Sequence, residues 1–242
     1  MASGVAIGVG TAAGVVAALV AAWHALTYYE VDVKCERPKY KVIQTLGPAR
    51  KSWIGKIKYA AEVRRYAPMV IAEVSVNTED GRMREALGSG FRQIAGFIFG
   101  KNTVVVPQSS DTTTELASTK VSMTAPVGAE MSAKEPGTYK ISFVMPSNYT
   151  VETLPKPINP DVVIKEVPER VMASLGWSGR SPSEEVMLAK AADLRALLDT
   201  AGLAYNRDDV HLLQYHPPFA PWWLRWNEMQ CEVQPSGGAN TE

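Results

Sequence analysis

Two cysteines and three histidines are all the thiol and imidazole side chains that 242 residues supply. Cys35 and Cys231 are too few for a disulfide framework, so this is no small bridge-stapled domain, and the thiols read as free. His24, His211 and His216 are scattered, which argues against a side-chain metal centre. Neither sign of charge is in excess: Lys plus Arg and Asp plus Glu both total 25. The molecule as a whole therefore lacks the basic bias of a nucleic-acid binder, and no nucleic-acid partner is expected. Catalytic signatures are missing too. Gly88-Ser89-Gly90 lacks the third glycine of a dinucleotide fingerprint, and there is no Walker loop, Cys-x-x-Cys, His-Glu-x-x-His or nucleophile elbow. No enzymatic reaction is expected. What is present is a chain with 46% hydrophobic and 21% charged residues, long enough to bury a sizeable core.

Basic residues are also absent from the start of the chain, where the first is Lys34. This argues against the basic n-region of a secretory signal and against an Arg-rich transit peptide. Residues 5–26 carry no charged side chain. As a helix they would span about 33 Å, enough to cross a bilayer. The run is mostly Ala, Gly and Val, a weaker membrane signal than a Leu-rich one. Gly4 and Gly8, and Gly10 and Gly14, are spaced to share a helix face that another helix can approach closely. Trp23, Tyr28 and Tyr29 suit an interfacial aromatic belt. Residues 1–29 are therefore expected to form a single transmembrane helix, either a plain anchor or one with helix partners in a larger complex. Residues 34–65 then hold ten basic side chains against two acidic ones. Such a stretch favours a cytoplasmic-type face for the soluble part, on an organellar (plastid or mitochondrial) membrane rather than a secretory one. It reads either as a solvated linker or as a segment drawn to anionic headgroups.

Residues 30–57 show no sustained periodicity and read as this basic linker; the main domain is expected over 58–233 and a disordered polar tail over 234–242. Within the domain, 66–76 is β-rich. Residues 82–99 are helical by their stripe of Leu87, Phe91, Ile94 and Ile98, with Gly100 at the end. Val121 and Met123 alternate with polar residues as a half-buried strand, and Ile141, Phe143 and Met145 do the same. The second half repeats this order. Strands are expected near 162–167 and 170–177. A helix opens at Ser181-Pro182-Ser183-Glu184 and stops at Gly202, and strands follow near 210–215 and 227–233. Pro126 and Pro217-Pro218 fall in equivalent places, just after the first strand that follows each helix. The fold expected from this repeat is α+β: two β-β-α-β-β halves related by a pseudo-twofold, joined into one curved antiparallel sheet with helices packed on it.

Several short segments together resemble one family. They are Glu62-Val63-Arg64-Arg65-Tyr66-Ala67-Pro68, Phe97-Ile98-Phe99-Gly100-Lys101-Asn102, Met123-Thr124-Ala125-Pro126-Val127, Val144-Met145-Pro146-Ser147, Leu154-Pro155-Lys156-Pro157 and Pro217-Pro218-Phe219. The match, over 59–233, is to the SOUL heme-binding family, its plant and algal members in particular. The resemblance implies a distorted antiparallel β-barrel flanked by two helices, built by duplication, that binds heme or another tetrapyrrole without a demonstrated reaction. A planar macrocycle needs an apolar slot and cations for its two propionates. The resemblance places these on the first helix, with Arg84 at a propionate and Leu87 and Phe91 against the ring. Periodicity alone reads Leu87 and Phe91 as packing on the sheet, with Arg84 solvated. Some members carry a His in the opening strand where this chain has Arg65, which cannot ligate iron. Trp222, Trp223 and Trp226 beside Arg225 read as a stacking surface for a tetrapyrrole, as a membrane-interface contact, or as a loop packed on the barrel end. Two functions follow: a membrane-anchored heme or tetrapyrrole carrier or scavenger, or a structural accessory subunit of an organellar membrane complex that uses the domain as a scaffold without heme.

Overall fold

The computed structural model describes residues 3–48, 50–51, 57–58, 60–78, 82–106, 115–132 and 134–234. The apolar run folds as α1 (Ser3–Tyr28), which continues through a π-helical turn, Tyr29–Val33. Among the described residues one helical stretch, Gly14–Val33, is long and apolar enough to cross a membrane. Strands β1 (Tyr40–Leu46), β2 (Arg50–Lys51), β3 (Ile57–Lys58), β4 (Ala61–Tyr66) and β5 (Met69–Asn77) lead to α2 (Met83–Ile98). Then come β6 (Asn102–Val106), β7 (Glu115–Ala117), β8 (Val127–Ser132), β9 (Thr138–Val144), β10 (Lys156–Pro157), β11 (Val163–Val167) and β12 (Arg170–Ser178). Helix α3 (Glu184–Thr200), β13 (Asp209–Gln214) and β14 (Trp226–Glu232) complete the order.

Nine strands form one curled antiparallel sheet in the order β1-β4-β12-β14-β13-β8-β9-β5-β11. Leaving out β1 at the edge, this order is a palindrome. Exchanging β4 with β11, β5 with β12, β8 with β13 and β9 with β14 reproduces it, about an axis between β8 and β13. The two halves are thus β4-β5-α2-β8-β9 and β11-β12-α3-β13-β14, the duplication that the sequence repeat predicts. The fold is α+β, with α2 against β5 and β9 and α3 against β14 and β12.

Strand alternation separates the two faces of the sheet. Val63, Ala173, Met229, Cys231, Leu212, Ala129, Ile141 and Val74 lie on the helix-covered side and belong to one buried core. The register places Arg64, Ser174, Glu228, Gln230, Glu130 and Lys140 on the other side. α3 follows its predicted grammar: the Ser183 hydroxyl accepts a hydrogen bond from the Val186 N–H, Glu184 and Glu185 fill the first turn, and Gly202 takes a positive φ just past the end. α2 differs in its stripe. Its buried line is Met83, Ala86, Gly90, Ile94, Phe97 and Ile98, with Leu87 and Phe91 half-buried at its margin. Gly90 explains the rotation, since a Cβ there would lie 2.7 Å from Ile141 Cγ1. The bare backbone lets the helix settle closer to β9 on that side.

Three expectations are corrected. The stretch 30–57 is not merely a linker, because Tyr40–Leu46 pairs along β4 as the outermost strand. Residues 120–124 do not join the large sheet. The Val121 N–H goes to the Ile98 carbonyl, Thr124 bridges to Glu36, and Pro126 has no N–H to give a ladder, so the strand begins only at Val127. Pro126 therefore precedes β8 whereas Pro217-Pro218 follows β13, and the two are not equivalent. The tail expected to be disordered lies, from residue 235 on, outside the described residues.

Candidate functional site

The loop between β13 and β14 is stiff by composition and by hydrogen bonding. Pro217, Pro218 and Pro221 each fix φ. The Ala220 N–H reaches the Pro217 carbonyl and the Leu224 N–H the Pro221 carbonyl. Arg225 staples the loop from within, with Nε 2.8 Å from the Ala220 carbonyl and a second nitrogen donating to the Pro218 carbonyl. The base is anchored to the end of β12 by the Gly179 N–H on the Arg225 carbonyl and by Asn227 Nδ2 on the Gly179 carbonyl. Ala220 and Pro221 are buried by this arrangement, and Phe219, Trp222 and Trp223 are left facing out. The two indoles meet edge to face with ring centroids 5.7 Å apart.

This loop is one wall of a cleft of about 560 Å3. Trp23 of α1, Arg84 at the start of α2 and Arg180-Ser181 before α3 form the rest. Three guanidinium groups line the cleft and, among the described residues, no carboxylate does. Arg84 and Arg180 make no ion pair among the described residues. Partial burial, and then the positive charge of Arg180, push the Arg225 guanidinium below its ordinary range. A pocket that is already positive, aromatic and without its own counter-ions favours a flat anion. Arg84 also borders a second cleft, of about 550 Å3, between the openings of α2 and α3.

The residues inferred from the first helix are divided by the structure. Arg84 is exposed and joins Trp222, Trp223, Arg180 and Arg225. Leu87 and Phe91 pack against the core, with the Phe91 ring 5.4 Å from that of Phe143. No cleft described here is lined by all three. Arg180 carries no signal of its own in the sequence, and Trp23 reads there only as part of an interfacial aromatic belt. The association of Arg180 with Arg84 depends on the pseudo-twofold, which brings the openings of α2 and α3 side by side. Trp226 belongs elsewhere: its indole lies over Gly176, where a Cβ would approach to 2.3 Å, and its Nε1 donates to Glu228.

Two other features compete for attention. The largest of these clefts, about 660 Å3, is bordered by Thr124 of the Met-Thr-Ala-Pro-Val segment and floored by Met69, Val70, Val144 and Met145. Its rim is electrically balanced, with Glu36 and Glu166 against Arg37 and Lys39. The second feature is the buried pair on the helix-free face. Arg64 donates to both oxygens of Glu228 at 2.8 and 3.1 Å, and Ser174, Tyr215 and Trp226 also donate to that carboxylate. Burial would raise the Glu228 pKa, but Arg64 and these donors outweigh it and hold it below the usual carboxylate range. Burial, and then the Glu228 charge, push the Tyr215 hydroxyl well up. With its acceptor positions filled, the Glu228 carboxylate is a structural tie and leaves nothing for a ligand.

Axial ligation of a metal finds no support in the aromatic cleft. His216 Nε2 lies 3.3 Å from Asp32, and its Nδ1 accepts the Trp226 N–H. His211 lies 3.6 Å from Glu130 across the sheet. His24 is exposed on α1 and does not line the cleft. Met145 is buried in the core, as its place in the alternating strand predicts, and Cys231 is buried there too. Among the described residues no cluster of His, Cys, Asp and Glu is arranged to hold a metal ion.

Comparison with known proteins adds the following. A family model described as SOUL heme-binding protein matches residues 35–232. No curated protein matches the chain. Among solved structures, the EcmrR C-terminal domain is 10% identical with a TM-score of 0.50, over 72% of this chain and 96% of that one. An uncharacterized conserved protein from Listeria innocua is 14% identical with a TM-score of 0.48, over 72% and 92%. A hydrolase from the same organism is 12% identical with a TM-score of 0.47, over 72% and 91%. At these identities the likeness is one of fold alone.

Proposed function

The chain belongs to the SOUL heme-binding protein family, and from that premise we propose that it is a membrane-anchored, non-enzymatic tetrapyrrole carrier or scavenger whose ligand lies in the cleft between the β13–β14 loop and Arg84. One observation carries this reading: three arginines and two exposed indoles converge on one cleft that, among the described residues, contains no acid. The residues fit the ligand class. Trp222 and Trp223 offer faces for a macrocycle, and Arg84 and Arg180 are open to pair with propionates through charge-assisted hydrogen bonds. Arg225 is committed to the loop backbone and contributes charge only. When bound, the tetrapyrrole supplies any redox or photochemistry; the protein holds, orients and shields it. Among the described residues the lining contains no side chain suited to iron ligation, so binding rests on the ring and the carboxylates. Hemin, the zinc porphyrin and the free base are then expected to bind alike.

The test is titration of the full-length protein in mild detergent with hemin and with free-base protoporphyrin. A saturable shift of the Soret band is expected with both. Each lost charge-assisted contact is worth about 1.5–3 kcal/mol, so Arg84→Ala with Arg180→Ala should weaken binding at least tenfold. Absence of a saturable change, or unchanged affinity in the double variant, rejects the site.

The second reading, a structural accessory subunit of an organellar membrane complex, has its own observation. Gly10 and Gly14 fall on one face of α1, and a Cβ at Gly14 would meet nothing within 4 Å. Replacing both by Leu should dissociate a native complex in mild detergent. A chain that migrates alone before the change counts against this reading.

A further inference from the structure

We propose that Phe219, Trp222 and Trp223 are seated in the headgroup layer of an anionic lipid bilayer, so that the tetrapyrrole cleft opens at the membrane surface. The inference rests on α1 being a membrane span, as proposed above. Trp23 fixes the height. Residues 5–26 carry no charged side chain, Glu30 and Asp32 follow, and Thr27 and Val31 are buried against protein, so the helix leaves the hydrocarbon core between Trp23 and Thr27. Trp23 is thus at the boundary, and it lines the same cleft as the loop. Whatever depth Trp23 has, Trp222 and Trp223 have nearly the same.

The soluble domain is not free to swing away from that level. Thr27 and Val31 are only 4% and 7% exposed, so the end of the span is packed against protein. The next residues are fastened as well. Asp32 meets His216 at the base of the aromatic loop, Arg37 stacks on Tyr215, and Glu36 takes the Ser147 N–H. The surface held at this level has interfacial chemistry. Phe219, Trp222, Trp223 and Trp23 are 68%, 52%, 49% and 43% exposed, a contiguous aromatic patch that water alone does not favour. Trp is suited to the interface, where its ring is apolar and its N–H stays wet. Arg84 and Arg180 beside it supply the charge that anionic headgroups attract.

The test uses the full-length chain in nanodiscs of phosphatidylcholine with and without phosphatidylglycerol, in a Cys35→Ser background that removes the half-buried thiol. Nitroxides are placed by Phe219→Cys and by Trp222→Cys, with Leu188→Cys on the exposed side of α3 as the water reference. Collision rates are read with oxygen, which concentrates in lipid, and with a water-soluble nickel chelate. The oxygen-to-nickel ratio is expected to be several-fold higher at 219 and 222 than at 188 in both lipids, because the packed end of α1 sets the depth, and higher with phosphatidylglycerol than without it, because Arg84 and Arg180 draw anionic headgroups around the patch. Equal ratios at all three positions overturn the proposal, as does a ratio indifferent to the anionic lipid. Mutual broadening between labels also overturns it, because a second copy of the chain would then cover the face. These readings need no tetrapyrrole. A failed hemin titration leaves them standing, and their failure leaves the titration standing.

Discussion

Glu228 and Arg64 show how much one buried pair can decide. Removing Arg64 leaves the Glu228 carboxylate uncompensated beside Tyr215 and Ser174, whereas removing Glu228 leaves Arg64 with Glu62 as its remaining partner. Arg64→Met alone should cost about 3–5 kcal/mol in denaturant unfolding, whereas Arg64→Met with Glu228→Leu should recover most of that loss. The pair also sets an acid limit. Because the folded-state pKa of Glu228 is lowered, its contribution is complete above the unfolded value, about 4.3, and is lost as pH falls through the folded one. The stability gap between wild type and Glu228→Gln is therefore expected to be constant near neutrality and to shrink in acid. A gap that does not change with pH would show that the carboxylate is not held ionised by Arg64. None of this was legible in the sequence, where Arg64 stood only as part of a family-like segment. Two residues 164 apart become neighbours through strand register alone.

At the scale of elements, two glycines in α2 should respond in opposite directions. At Gly88 a Cβ would come no nearer than 3.4 Å to the flexible end of Arg92. Gly88→Ala should therefore stabilise by about 0.5–1 kcal/mol through helix propensity. At Gly90 the same change meets Ile141 in the core. Gly90→Ala should destabilise by about 1–3 kcal/mol despite the better propensity, and Ile141→Val should relieve part of it. Thermal melts of the three variants decide the matter. Helix ends and strand positions were readable because caps and period-2 alternation are local signals, as Ser183, Gly202 and the Tyr139-Ile141-Phe143 series show. The rotation of α2 was not readable, because Gly90 removes the apolar marker from the face that lies deepest. Residues 121–125 misled for a related reason. They alternate like a strand, yet the Val121 N–H goes to the end of α2 and the Ala125 N–H to Glu36.

For the whole molecule, the duplication was visible as a repeat of element types, and the palindromic strand order is its spatial form. What no repeat could reveal is that the molecule begins before it. β1 and residues 36–39 lie outside both halves, yet they close the edge of β4 and wall the cleft of about 660 Å3. A chain that starts at residue 30 should keep the melting temperature of the domain, measured beside the full-length protein in the same detergent. One that starts at residue 50 should melt several degrees lower or aggregate through the bared β4. Equal melting of the two truncations would mean that β1 is a passenger.

With α1 in the membrane, as proposed, the stretch between it and the sheet has a further consequence. As a flexible chain, its 28 expected linker residues would give the domain a reach of roughly 30 Å. Held instead by Asp32, Glu36, Arg37 and then β1, it acts as a bracket. A tethered domain samples an orbit and can hand its cargo to partners at many distances. A bracketed one works at a single standing height, so any partner that delivers or collects a ligand has to come to that height itself.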